Sequence, residues 1–107
     1  MQMIAYQQMK DLQMHDAATL INVLPPERFE QTHIEGSINI PLGPDFAEKV
    51  ERVMGSKDLP VAVYCGSYSC NKSQQAALKL QQAGFTHIMC YEGGTKEWHE
   101  RHMHSAA

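Results

Sequence analysis

The chain has 107 residues, a net charge of −3 and a hydrophobic content of 43%. That length predicts a single domain over 1–107, able to bury about two thirds of its unfolded surface and to fold without disulfide or metal staples. The scattered charges exclude a nucleic-acid surface and no stretch approaches membrane-spanning length. Three irregularly spaced cysteines and an N-terminus without an apolar leader fit free thiols in a reducing, cytoplasmic setting.

Hydrophobic patterning sets the order of elements. Met3-Ile4-Ala5 reads as a short edge strand, and the helix after it turns Met9 and Leu12 inward with Gln13 at the margin. Ala18 to Leu24, nearly all apolar, reads as a strand buried on both faces, as in a parallel sheet. Pro25-Pro26 stops it, and Pro26 to Glu30 suits a short helix begun by proline. Ser37 to Ile40 predicts a third strand, fed by a turn at Gly36. After Leu42-Gly43-Pro44-Asp45 a helix opens in which Phe46, Val50, Val53 and Met54 form a core stripe, with Gly55 as C-cap.

Val61-Ala62-Val63-Tyr64 predicts a buried central strand, and Ser73 to Ala83 a helix whose Ala76, Ala77, Leu80 and Ala83 let it lie close to the sheet. Gly84, as a left-handed residue after that helix, would bring Phe85 back onto Leu80. Thr86 to Cys90 reads as the last strand, and Glu92-Gly93-Gly94 as the turn into a short helix carrying Trp98. The polar tail from His99, with His102 and His104, is expected to fray into solvent. Trp98 and Phe29 read as core, Glu92 and Lys96 as solvated charges. Strands alternating with helices predict an α/β fold: a mostly parallel sheet of four to five strands, helices on both faces, and a ligand site beyond the carboxyl ends of the strands.

Cys65 stands at such a strand end, followed by the loop Gly66, Ser67, Tyr68, Ser69, Cys70, Asn71, Lys72 and Ser73. The first turn of the following helix leaves N–H groups without intrahelical partners and attracts negative charge. A thiol facing that turn ionises more readily and becomes a nucleophile; the alternative is an inert, buried strand-end cysteine. Cys90 ends another strand on the same side, either beside Cys65 or as ordinary core. Tyr68 either gates the loop tip or is simply exposed there.

Several segments share one pattern: Asn22-Val23-Leu24, Glu27-Arg28-Phe29, His33-Ile34-Glu35-Gly36-Ser37-Ile38-Asn39-Ile40-Pro41, Val63-Tyr64-Cys65, Ala83-Gly84-Phe85, and Gly93-Gly94 with Trp98. In order and spacing they resemble the rhodanese family of single-domain sulfurtransferases. The resemblance implies that Cys65 attacks a donor such as thiosulfate or a persulfide, holds the sulfane sulfur as a persulfide, and passes it to a thiol or cyanide acceptor, small or protein-borne. It implies no metal or organic cofactor, and it makes Gly66 to Ser73 the substrate-binding loop, whose N–H groups hold the persulfide and the departing sulfite. Three departures stand out. Asn22 and Leu24 replace an acidic residue and an arginine, and Thr32 replaces a glycine. The loop exceeds the usual C-x-x-G-x-R-S by two residues and lacks its arginine, leaving Lys72 as its only fixed charge.

Other readings stay open. The longer loop is similar in length to that of phosphatases and arsenate reductases, H-C-x5-R, but Asn71 takes the arginine's place and Tyr64 the histidine's. A non-catalytic rhodanese-like module could bind a partner or sense redox state through Cys65 and Cys70. A metal site of Cys65, Cys70 and a histidine lacks a second paired ligand motif. Cys70 itself is either a packed loop residue or a resolving thiol for the Cys65 persulfide.

Overall fold

Each strand is followed by a helix that carries the chain back to the same end of the sheet, which makes the pairing parallel. The computed structural model describes residues 1–105. Its elements are β1 (Gln2–Ile4), α1 (Tyr6–His15), β2 (Thr19–Asn22), α2 (Pro26–Gln31), β3 (Ile38–Asn39), α3 (Phe46–Met54), β4 (Val61–Tyr64), α4 (Lys72–Gln82), β5 (Ile88–Tyr91) and α5 (Gly94–Ser105). The strands form one five-stranded parallel sheet in the order β1-β5-β4-β2-β3, so the expected α/β architecture is present with β4 at its centre.

The two-residue period of β4 divides the core. Val61, Val63 and Cys65 face α3 and α4, where Phe46, Val50, Ala76, Ala77 and Leu80 are buried. Ala62 and Tyr64 face the opposite layer, where Met9 of α1 and Trp98 of α5 pack. The alanines of α4 keep that helix close to the strand it follows. Its C-terminus closes as expected: Gly84 has φ 96°, its N–H donates to the Gln81 carbonyl at 3.1 Å, and the Phe85 N–H donates to the Leu80 carbonyl at 3.0 Å.

The strand after α1 ends at Asn22 rather than Leu24. Asn22 Oδ1 accepts the Leu24 N–H at 2.9 Å, and this local bond takes the chain out of the ladder. Asn22 anchors a neutral network at the top of the sheet. Asn39 Nδ2 donates to the carbonyls of Asn22 and Leu24, while the Tyr64 hydroxyl accepts the Ile34 N–H at 3.0 Å and lies 2.7 Å from Ser37 Oγ. Asn22 Nδ2 is turned toward Tyr64 but stays outside hydrogen-bonding geometry. Similarly, the last strand begins at Ile88 because Thr86 is drawn to the Lys57 carbonyl.

Three expectations are corrected. Val53 is 56% exposed, so the buried face of α3 is Phe46 and Val50 with Met54 at its edge. The tail from His99 does not fray but continues α5 to Ser105. Trp98 and His102 pack as tilted rings, Tyr6 meets Trp98 at a tilt and His102 edge-on, and the Tyr6 hydroxyl reaches His102 Nδ1 at 3.1 Å, so the helix has a partner where polarity suggested none. The His104 side chain lies outside the described residues. Phe29, expected in the core, is half-buried and stacks on His33.

These burial differences predict that Val50→Ala costs about 2–3 kcal/mol in denaturant unfolding, as for a buried valine. Val53→Ala should stay within about 0.5 kcal/mol of the parent. Equal losses would mean that the α3 stripe is buried after all.

Candidate active site

The loop after β4 is held from outside by the start of α5. The Thr95 N–H donates to the Cys65 carbonyl at 3.0 Å, the Lys96 N–H to the Gly66 carbonyl at 2.9 Å, and Thr95 Oγ1 to the same Gly66 oxygen at 3.3 Å. Gly94 makes this approach possible. It has φ 65°, and a Cβ there would lie 2.5 Å from the Cys65 carbonyl oxygen and 2.6 Å from the Gly66 carbonyl carbon. Within the loop, the Cys70 N–H donates to the Ser67 carbonyl at 3.1 Å, folding the chain back toward Cys65.

Cys65 is fully buried, with its thiol directed at the Cys70 carbonyl oxygen, 3.4 Å away, and at Ser73 Oγ, 3.5 Å away. Burial, followed by the adjacent Cys70 thiol, pushes the Cys65 thiol above the usual range, against the pull of the Ser73 hydroxyl and amide. Cys70 is half-buried and behaves oppositely. Its partial burial would raise it, but the Cys65 thiol, the amides of Lys72 and Gly66 and the Lys72 charge together bring it below the usual range. The expectation that Cys65, facing the first turn of α4, ionises more readily than an ordinary thiol is therefore corrected. The first turn of α4 acts on both sulfurs, and the one nearer solvent benefits more. Of the two readings left open for Cys90, both hold in part: it lies on the same face as Cys65 and is buried in the same core cluster, and burial raises its thiol.

Cys70 opens onto a cleft of about 680 Å³ whose walls come from α2, the loop, α4 and α5. Arg28, Lys72 and Lys96 line it along with His99 and Glu100. None of those three cations forms a salt bridge among the described residues. The Arg28 guanidinium lies so close to Gly66 that a Cβ there would sit 3.4 Å from Nη2. The loop thus lacks an arginine of its own, but α2 supplies one. Thr32 and His99 are hydrogen-bonded across the cleft and tie α2 to α5.

Of the loop residues singled out from sequence, Gly66, Ser67, Ser69, Cys70 and Lys72 come together at this cleft. Ser73 is buried behind Cys65. Tyr68 and Asn71 lie elsewhere. Asn71 turns its amide oxygen to Gln75, and Tyr68 is 65% exposed with its hydroxyl on Glu97 at 3.1 Å. Glu97 also accepts the Tyr91 hydroxyl at 2.7 Å, so Tyr68 is tethered to α5. Glu92, read as solvated, is half-buried and accepts Gln74 Nε2 at 2.7 Å. Sequence reasoning treats Arg28 and Gly94 only as motif residues and His99 as tail, leaves Thr95 unnamed, and places none of them in the site. For Arg28 a signal existed: a short helix begun by proline directly after a strand end stands at the same end of the sheet as Cys65.

The sequence profile of the Rhodanese-like domain matches residues 5–101. The chain is 36% identical over 77 residues to thiosulfate sulfurtransferase PspE of Escherichia coli, covering 72% of this chain and 70% of that protein. A rhodanese domain-containing protein of Drosophila melanogaster is 31% identical and is matched over 97% of its length, by 92% of this chain. Among solved structures, an E. coli rhodanese with anions superposes with a TM-score of 0.65 at 36% identity, over 75% of this chain and 89% of that one. The human single-domain sulfurtransferase TSTD1 superposes with a TM-score of 0.74 over 94% and 96% of the two chains, and at 18% identity shares the fold.

Gly94→Ala should destabilise the protein by about 2 kcal/mol or more through its left-handed backbone and the collision with Cys65, and it should speed alkylation of Cys65. Unchanged unfolding and unchanged alkylation would mean that the loop does not depend on this contact. In the parent, iodoacetamide should modify Cys70 at lower pH than Cys65 or Cys90, because a lowered thiol is ionised first as pH rises. Peptide mass analysis across a pH series reads the order, and Cys65 reacting first would reverse the assignment.

Proposed function

Because this chain belongs to the rhodanese-like domain family, we propose that it is a sulfurtransferase moving sulfane sulfur from a donor such as thiosulfate or a persulfide to a thiol or cyanide acceptor, through a persulfide on Cys65. The observation that carries this reading is the position of Cys65 at the carboxyl end of the central strand, its sulfur against the first turn of α4 and beside a cleft lined with cations.

A raised Cys65 thiol does not oppose this role, since its neighbour can take the proton. The two thiols lie within reach of each other's charge, and when the proton passes from Cys65 to Cys70 the negative charge moves to Cys65. The Cys65 thiolate attacks the outer sulfur of thiosulfate, the S–S bond of the donor breaks, and sulfite leaves with its electron pair while the sulfane sulfur stays on Cys65 as a persulfide anion. Ser73, through its hydroxyl and amide, stabilises negative charge on Cys65. Arg28, Lys72 and Lys96 attract the donor and the departing anion into the cleft; Arg28 supplies the planar, paired donors that a lysine lacks. An acceptor thiolate then takes the outer sulfur and regenerates Cys65. The chemistry needs no cofactor, and the compartment we assign is the cytoplasm.

A second reading, a redox-sensing or binding module, is favoured by the pairing of Cys65 with Cys70. Intact-mass analysis after thiosulfate, with each cysteine replaced in turn, separates the two. Sulfur transfer requires one added sulfur on Cys65 and complete loss of transfer in Cys65→Ser; transfer retained in that variant would remove Cys65 from its role. Arg28→Ala and Lys72→Ala should each raise the KM for thiosulfate roughly tenfold, about 1.4 kcal/mol, with little change for an uncharged persulfide donor. Equal effects on both donors would make these side chains structural.

A further inference from the structure

Cys70 has a position that proton exchange alone does not account for. It stands on the cleft side of Cys65 and packs against the same core cluster, and its own carbonyl lies 3.4 Å from Cys65 Sγ. The turn closed by the Cys70 N–H and the Ser67 carbonyl brings the ends of the Cys65–Cys70 segment together, close enough that each thiol shifts the ionisation of the other. Cys90 offers no equivalent. It is fully buried on β5, opposite Val63, and is not part of the cleft wall.

We propose that Cys70 is a resolving thiol: its thiolate attacks the inner sulfur of the Cys65 persulfide, expels the outer sulfur as sulfide, and leaves a Cys65–Cys70 disulfide. The domain would then reduce sulfane sulfur as well as transfer it, an activity that rests on the Cys65 persulfide proposed above. The step balances: Cys65–S–SH and Cys70–S⁻ give Cys65–S–S–Cys70 and HS⁻. The sulfane sulfur gains the two electrons that the cysteine sulfurs lose, so no external oxidant takes part. Return to the dithiol state requires a reductant of the dithiol class. It would attack the sulfur of Cys70, the member of the pair that opens onto the cleft.

Three features favour this step. Cys70 is the half-buried thiol on the cleft side, and despite that burial the amides of Lys72 and Gly66 with the Lys72 charge bring it below the usual thiol range, which favours the attacking thiolate. Sulfide leaves as an anion, and Lys72 and Arg28 line the space into which it departs. The short segment between the cysteines lies in a loop outside the helices and strands, so the sulfurs can approach disulfide geometry without breaking a helix or strand. An acceptor thiol in the cleft competes with Cys70 for the same persulfide, so acceptor concentration decides between transfer and release.

The experiment loads the reduced protein with inorganic polysulfide, removes the excess, and follows sulfide, free thiols and intact mass in the parent, in Cys70→Ser and Cys70→Ala, and in Cys65→Ser. The parent should release one sulfide per chain with loss of two thiols, and peptide mapping should show a Cys65–Cys70 disulfide. Both Cys70 variants should hold the persulfide on Cys65 at least about tenfold longer, and Cys65→Ser should release none. Persulfide lifetimes equal in the parent and both Cys70 variants, without a disulfide, would overturn the resolver and leave sulfur transfer intact. A disulfide mapped to Cys65 and Cys90 would equally overturn it. No persulfide on Cys65 in any variant would overturn both the resolver and the transfer reading.

Discussion

Two hydrogen bonds from the first turn of α5, to the carbonyls of Cys65 and Gly66, decide where the rest of the site points. A loop leaving a strand end carries donors and acceptors in equal number, and a site for anions must turn the acceptors away. Here α5 takes those acceptors, with Gly94 as the only residue type that allows so close a contact. The amides of Gly66, Lys72 and Ser73 are left to face the sulfurs.

The two helix N-termini at this loop consequently do different work. That of α5 is used up on backbone carbonyls and serves as a clamp. That of α4 remains available for negative charge, supported by Lys72 in its first turn. Formal positive charge arrives from three separate helices, α2, α4 and α5, which converge only after folding. A chain with net charge −3 thereby presents a cationic cleft at one end of its sheet.

Much of this was legible in the sequence because it rests on local rules. The apolar runs of β4 and β5, Gly55 and Gly84 at helix ends, and the alanine face of α4 all specify elements without reference to distant residues. Cys65 at the strand end was legible for the same reason. What escaped depends on residues far apart in the chain. Arg28 belongs to the site only because β2 lies beside β4, which sets α2 beside the loop. The tail after Trp98 is helical because Tyr6 waits for it across the α1 layer, and polarity alone could not announce that partner. The ionisation of Cys65 was misread because nearness to a helix end was weighed without the opposing cost of full burial, which falls on Cys65 more heavily than on Cys70.

The neutral network above β2 and β4 has a consequence for how the protein responds to its solution. Asn22, Asn39, Ser37 and Tyr64 brace the sheet without a charge pair, and burial raises the Tyr64 hydroxyl above its ordinary range. Such a brace has no carboxylate to protonate in mild acid and no ion pair for salt to screen. The hydrogen bonds beneath the loop therefore include no acid-labile or salt-screened pair, whereas charge gathers in the cleft beside them, at Arg28, Lys72, Lys96 and the two thiols.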